Sequence, residues 1–146
     1  MVTSTITARL PYPPAPVWEA VTQVDRYPQW RSDLAGVDLP QEGTFVEHSR
    51  EGIATHFTVT CADPCRRWEF SLENQRITGR WTGLFFPCAE GTRVRFTEQV
   101  QPKKWFLRPL VGGYLKKQQA RFLRELRQAL PEQPSSENGR GGDAPC

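Results

Sequence analysis

The chain has no apolar run long enough to cross a bilayer, and its opening residues, "MVTSTITARL", lack the charged start and unbroken apolar core of an export signal. A reducing, cytoplasmic setting without membrane insertion is therefore expected. Histidine is scarce, with only His48 and His56. The four cysteines, Cys61, Cys65, Cys88 and Cys146, do not form a zinc knuckle, because Cys61 and Cys65 are separated by three residues and not two. No metal or other cofactor is expected, and free thiols are expected of a reducing compartment. The chain also lacks a phosphate-cradling glycine loop and any recognisable nucleophile, base and acid set around a serine or cysteine. Charge of one sign is not in excess: 19 Lys+Arg against 16 Asp+Glu leave a net +3, too little to argue for a nucleic-acid partner.

What remains is a chain of 146 residues with 5 Trp, 8 Phe and 3 Tyr, enough for one domain to fold around one core without staples. That domain is expected over residues 1–130. Beyond it, "EQPSSENGRGGDAPC" is rich in Pro, Gly, Ser and charge, so residues 131–146 are expected to be a disordered tail.

Residues 3–10 alternate, with Ile6, Ala8 and Leu10 on one face, and read as a strand. Prolines 11, 13, 14 and 16 end it, and Pro16 suits the first turn of a helix that places Val17, Trp18, Val21 and Val24 at helical spacing. Asp25 is expected to cap a second short turn or helix ending in "RYPQW". Six further strands follow near 35–40, 43–50, 53–61, 66–74, 76–87 and 92–101, separated by Gly-, Pro- and Asp-containing turns too short for crossovers, so the sheet is expected to be mostly antiparallel.

Alternation separates the two faces of that sheet. Ile53, Thr55, Phe57, Val59 and Cys61 share one face; Trp68, Phe70 and Leu72 another of the same kind; then Ile77, Gly79, Trp81, Gly83 and Phe85; then Val94, Phe96, Glu98 and Val100. His56 falls on the outer side. For residues 45–50 the register is open, since a one-residue slip exchanges Val46, His48 and Arg50 with Phe45, Glu47 and Ser49. After Pro102, Leu107, Leu110, Val111, Tyr114, Leu115, Gln118, Phe122, Leu126 and Leu130 form the apolar stripe of a helix of about six turns. Its opposite side carries Lys116, Lys117, Arg121, Arg124 and Arg127, the ordinary charged outer face of a helix.

The stretch "APVWEAVTQVDRYPQW" closely resembles the opening motif of the polyketide cyclase/dehydrase and lipid-transport group of the START-like (SRPBCC, birch-pollen-allergen-like) superfamily, and "GRWTGLFFPCAEGTRVRFTEQV" resembles its last hairpin. The resemblance spans about residues 3–130. It implies the helix-grip fold, an α+β architecture in which a seven-stranded curved antiparallel sheet wraps around the long C-terminal helix. Two short helices after the first strand supply the wall that sheet and helix cannot close alone. Trp18 and Val21 are expected to pin the first to the core, and Trp30 to close over one end of the hollow.

In such a fold the concave face and the helix enclose a mostly apolar cavity, the default place for a ligand. The alternation lines it with Phe57, Trp68, Phe70, Trp81, Phe85 and Phe96 from the sheet and Tyr114 and Gln118 from the helix, a surface suited to a flat aromatic or polyene-like hydrophobe. Gly79, Gly83, Gly112 and Gly113 are expected to leave room for it. Glu98, a carboxylate among inward residues, either has a structural partner or has its pKa raised by desolvation and becomes a proton donor or acceptor.

The scaffold hosts unrelated activities, so three functions stay open. The first is binding of a small hydrophobic, lipid-like, aromatic or polyketide-like ligand. The second is a cyclase or dehydratase in which Glu98 moves a proton while Trp81 and Tyr114 orient the substrate. The third is a protein-interaction module like the chaperone-activating relatives, with its protein partner unknown.

Overall fold

The structure, a computed structural model, describes residues 1–130; the expected disordered tail lies outside the described residues. The order is β1 (Val2–Leu10), α1 (Pro14–Thr22), a 3-10 turn (Val24–Arg26), α2 (Tyr27–Trp30), β2 (Leu34–Asp38), β3 (Thr44–Ser49), β4 (Ala54–Asp63), β5 (Arg67–Glu73), β6 (Ile77–Cys88), β7 (Gly91–Pro102), a second 3-10 turn (Trp105–Leu107) and α3 (Arg108–Ala129). Every expected strand is present, with ends displaced by at most a few residues.

The seven strands form one sheet in the order β1-β7-β6-β5-β4-β3-β2, antiparallel at each step. Sequence neighbours pair directly except that β1 returns beside β7, which puts β1 and β2 at opposite edges. Register irregularities between Val59 and Cys61 of β4 and between Leu34 and Gly36 of β2 bend this half of the sheet.

Pro14 opens α1 at a position where its absent N–H leaves no hydrogen bond broken. One face of α1 buries Val17, Ala20 and Val21, while Trp18 stands edge-on to Phe85 with ring centroids 5.2 Å apart. Asp25 is not the expected cap. It lies inside the 3-10 turn and makes no capping hydrogen bond, because helix α2 starts directly from that turn with Pro28 in its first positions.

α3 lies across β1 and β7. Its fastening is polar as well as apolar: buried Gln119 accepts from the Ser4 hydroxyl at 2.8 Å and donates to the Ser4 carbonyl at 2.9 Å and the Phe96 carbonyl at 3.3 Å. With its donors and acceptor used, the amide is a fixed crosslink and not a buried cost. The expected stripe is correct only in part. Val111, Leu115, Leu126 and Leu130 are buried, but Leu110 and Tyr114 are exposed, since that end of the helix stands off the sheet.

Two expectations about small residues and thiols are corrected. A Cβ on Gly83 would come within 2.6 Å of the Trp81 ring, and one on Gly79 within 2.5 Å of the Gln99 carbonyl oxygen. These glycines make room for the protein's own packing and not for a guest; nothing within 4 Å would meet a Cβ on Gly113, and only Val2 approaches Gly112. Cys65, in the β4–β5 turn, is disulfide-bonded, while Cys61 and Cys88 are free thiols as expected.

Candidate functional site

A cavity of about 580 Å³ lies between the concave face of the sheet and the first half of α3. Volumes of this order accommodate a drug-sized molecule. Its floor is a row of aromatic rings in edge and stacked contact: Phe57 on Phe70 at 5.0 Å, Phe70 parallel to Trp81 at 5.1 Å, Trp81 on Phe96 at 5.0 Å. The rings touch along the sheet without filling the space above it. Gly83 explains the order of this row, because the Trp81 indole folds over the place a side chain would take.

Seven of the eight cavity residues expected from alternation line it: Phe57, Trp68, Phe70, Trp81 and Phe96 on the sheet, and Tyr114 and Gln118 on the helix; Glu98 lines it too. Trp30 and Phe85 do not. Trp30 is turned into the wall, packed between Tyr27 at 5.4 Å and Phe122 at 5.4 Å, because α2 is a single turn held against α3. Phe85 lies farther along β6, where Trp18 of α1 covers it. Tyr114 is over half exposed at the mouth, and its hydroxyl accepts from the Gln118 side-chain amide.

At the β2–β3 side the wall becomes charged. Arg31 donates to Asp33 Oδ2 at 2.8 Å through one terminal nitrogen and to Glu47 Oε2 at 2.9 Å through the other, and all three side chains are largely covered. The guanidinium carbon lies 4.9 Å from the Tyr27 ring centroid and 5.4 Å from that of Phe122, so two aromatic faces hold the cation where two carboxylates neutralise it. Arg121 adds a longer contact to Asp33 at 3.6 Å. The segment is anchored from behind: the Ser32 amide donates to buried Glu125 of α3 at 3.1 Å, and the Arg50 side chain donates to the Ser32 carbonyl at 2.7 Å.

Burial dominates the ionisation of this cluster. It raises Glu47 above the usual carboxylate range, an effect that Arg31 partly offsets. For Arg31 itself burial acts downward, but the Glu47 and Asp33 carboxylates outweigh it and the guanidinium is held more firmly charged. Burial likewise raises Tyr27, whose hydroxyl donates to the Val21 carbonyl. Glu98 faces the same space and has no ion-pair partner among the described residues. Desolvation, reinforced by repulsion from Glu47 and moderated by Arg31, pushes its pKa up to about 7. Near neutral pH this carboxyl therefore exists in both forms and can donate or accept a hydrogen bond.

Sequence reasoning found Glu98 but missed Arg31, Asp33 and Glu47. The open register at 45–50 concealed Glu47. The structure resolves it with Phe45, Glu47 and Ser49 inward and His48 outward, where its ring lies 2.7 Å from exposed Asp38. Alternation alone did not settle this because Val46 is buried too. His56 is exposed, as expected. Among the described residues no cluster of His, Cys, Asp and Glu is arranged to hold a metal ion, and no helix is long and apolar enough to cross a membrane.

A curved antiparallel sheet gripping one long helix over a deep apolar cavity defines a helix-grip protein of the START-like class. The sequence model described as polyketide cyclase/dehydrase and lipid transport matches residues 1–131, and the chain belongs to that family. Comparison with curated protein sequences finds no match. Among solved structures, a START superfamily protein from Mycobacterium smegmatis superposes with a TM-score of 0.79 at 12% identity, covering 90% of this chain and 97% of that one. An aromatase/cyclase from Streptomyces gives 0.77 at 14% identity, with 89% and 92% covered. A protein from Mesorhizobium loti gives 0.75 at 18% identity, with 90% and 98% covered. At these identities the likeness establishes the fold.

Proposed function

We propose that the chain binds a small hydrophobic molecule with one polar end, lipid-like, aromatic or polyketide-like, between the sheet and α3. The observation that carries this reading is the pairing, in one cavity of about 580 Å³, of an aromatic floor with the covered Arg31–Asp33–Glu47 cluster at the β2–β3 side. The rings of Phe57, Phe70, Trp81 and Phe96 supply apolar contact for a flat body; Glu98 and the Arg31 cluster supply the groups that orient its polar end.

A second reading is favoured by the pKa of Glu98, which lies where a general acid/base is most effective at neutral pH. In a cyclase- or dehydratase-type reaction the protonated carboxyl donates to a carbonyl or departing hydroxyl of a polyketide-like substrate, and the carboxylate then recovers a proton from carbon. Both readings use the same space and differ in the role of one residue.

Native mass spectrometry of the full chain purified from its own cell tests the first: a retained small molecule of low polarity is expected. A chain that arrives empty and whose tryptophan fluorescence does not respond to fatty acids or hydroxylated aromatic ketones would remove the ligand reading. With a ligand identified, Glu98→Gln separates the two roles. Unchanged affinity with lost turnover supports catalysis, and no turnover in wild type leaves binding alone.

A further inference from the structure

The turn that leads into α3, and the first turns of that helix, carry large side chains that no described residue covers. Trp105 is 83% exposed, Phe106 56%, Leu110 69% and Tyr114 56%, so four bulky side chains within ten residues face solvent. Charge is equally one-sided. Residues 102–124 contain seven cations, Lys103, Lys104, Arg108, Lys116, Lys117, Arg121 and Arg124, and no Asp or Glu. Some of these are occupied: Lys103 reaches Glu73 at 3.0 Å, Lys116 the Thr5 carbonyl at 3.3 Å and Arg121 the site cluster. Lys104 and Arg108, which flank the Trp105–Phe106 pair, make no ion pair among the described residues.

The patch is continuous with the cavity. Leu107, Leu110 and Tyr114 belong to the cavity wall, and the exposed Arg76, whose carbonyl accepts from the Lys103 amide at 2.8 Å, belongs to its opposite rim. On the other side of the turn, Val2, Trp105, Phe106, Arg108, Pro109 and Gly112 line a shallow groove.

We propose that Trp105, Phe106 and Leu110, framed by Lys104 and Arg108, dock the cavity mouth onto an anionic lipid bilayer surface. Exposed indole and phenyl rings beside unpaired cations suit the headgroup level of a membrane, where the ring enters the acyl boundary and the cation meets lipid phosphate. A second copy of the chain fits less well, since a twofold contact through this patch would set the same unpaired cations against each other. Docking would bring the mouth against the lipid layer, so that a hydrophobic ligand passes without crossing water. The inference rests on the cavity reading for its purpose alone. Adsorption to vesicles is read with no cavity ligand present, so either proposal can fail without the other.

The test is sedimentation of the full chain with vesicles of phosphatidylcholine, with and without phosphatidylglycerol, at low and high salt. Binding is expected only with phosphatidylglycerol and is expected to weaken with salt. Each cation near such a surface contributes a factor of about five, so Lys104→Glu with Arg108→Glu lowers the partition coefficient at least roughly 25-fold. Trp105→Ala with Phe106→Ala is expected to abolish sedimentation while the thermal melt stays that of wild type, the four side chains being on the surface. In wild-type protein, brominated lipid is expected to quench tryptophan fluorescence, a readout needing no variant. Absence of binding to anionic vesicles, binding unaffected by either double substitution, or self-association that both abolish would each overturn the proposal.

Discussion

The two halves of α3 share one helix and one sheet, yet one half is sealed and the other is held open. In the second half Leu123, Leu126 and Leu130 are buried against β1, β7 and the aromatic core, and Leu126 and Leu130 have no exposed surface at all. In the first half Leu110 and Tyr114 stand exposed at the cavity mouth, Val111 and Leu115 join only a small separate cluster with Val100, and the space between helix and sheet is the cavity. Gln119 stands at the boundary, its amide pinned to Ser4 and Phe96. The difference shows how a protein keeps a hollow without collapsing: the sealed half supplies the stability, and a polar crosslink fixes the height at which the open half stands off.

The largest expected effect tests that division. Leu126→Ala removes a fully buried side chain from the sealed half and is expected to destabilise the fold by roughly 3–4 kcal/mol, the usual cost of a Leu-sized core cavity. Leu110→Ala, in the same helix and the same residue type, is expected to stay within about 0.5 kcal/mol. Chemical denaturation of the two variants is the measurement. Equal losses would mean that α3 is packed uniformly and that the open half is not open.

The next effect falls on the charged wall. Arg31→Met leaves Glu47 without a cation and Asp33 with only the longer Arg121 contact, and losing one partner of such a covered group is expected to cost about 3 kcal/mol at neutral pH. The penalty is expected to shrink as pH falls, because buried Glu47, already raised by desolvation and then without Arg31 to lower it, can protonate. A pH-independent penalty would show that Arg31 contributes through its packing on Tyr27 and Phe122 and not through its charge.

The contrast between the halves also marks how far the sequence alone could be read. Strand alternation placed Phe57, Trp68, Phe70, Trp81, Phe96 and Glu98 inward because each belongs to a strand with one polar face, where period-2 patterning is unambiguous. Trp30 and Phe85 were misplaced for a tertiary reason: whether an inward ring borders a hollow or fills a core depends on what covers it, here Phe122 and Trp18. On α3 the same apolar spacing serves a sealed and an open half, so periodicity cannot separate them. The Arg31–Asp33–Glu47 cluster joins a loop to β3 across 16 residues, and nothing local in either segment announces the pairing.

A more modest effect, and the one most specific to the site, falls on Glu98. Glu98 has a folded-state pKa of about 7 against 4.5 for an unperturbed glutamate, so in the folded chain it keeps its proton over a range in which the unfolded chain has already lost it. Between these values the folded state binds more protons, and stability must fall as pH rises: the contribution is fully present below about pH 4.5 and is gone above about 7. The full shift corresponds to about 3 kcal/mol, and residual access to solvent lowers the expectation to roughly 2 kcal/mol. Glu98→Gln keeps the shape and cannot ionise. Its stability is therefore expected to match wild type near pH 4 and to exceed it at pH 8, with the gap opening as Glu98 titrates. Urea unfolding across that range reads the gap directly. A constant difference at all pH values would place the Glu98 carboxyl in ordinary solvent, and with it would go the charged end of the cavity as the part that orients a ligand.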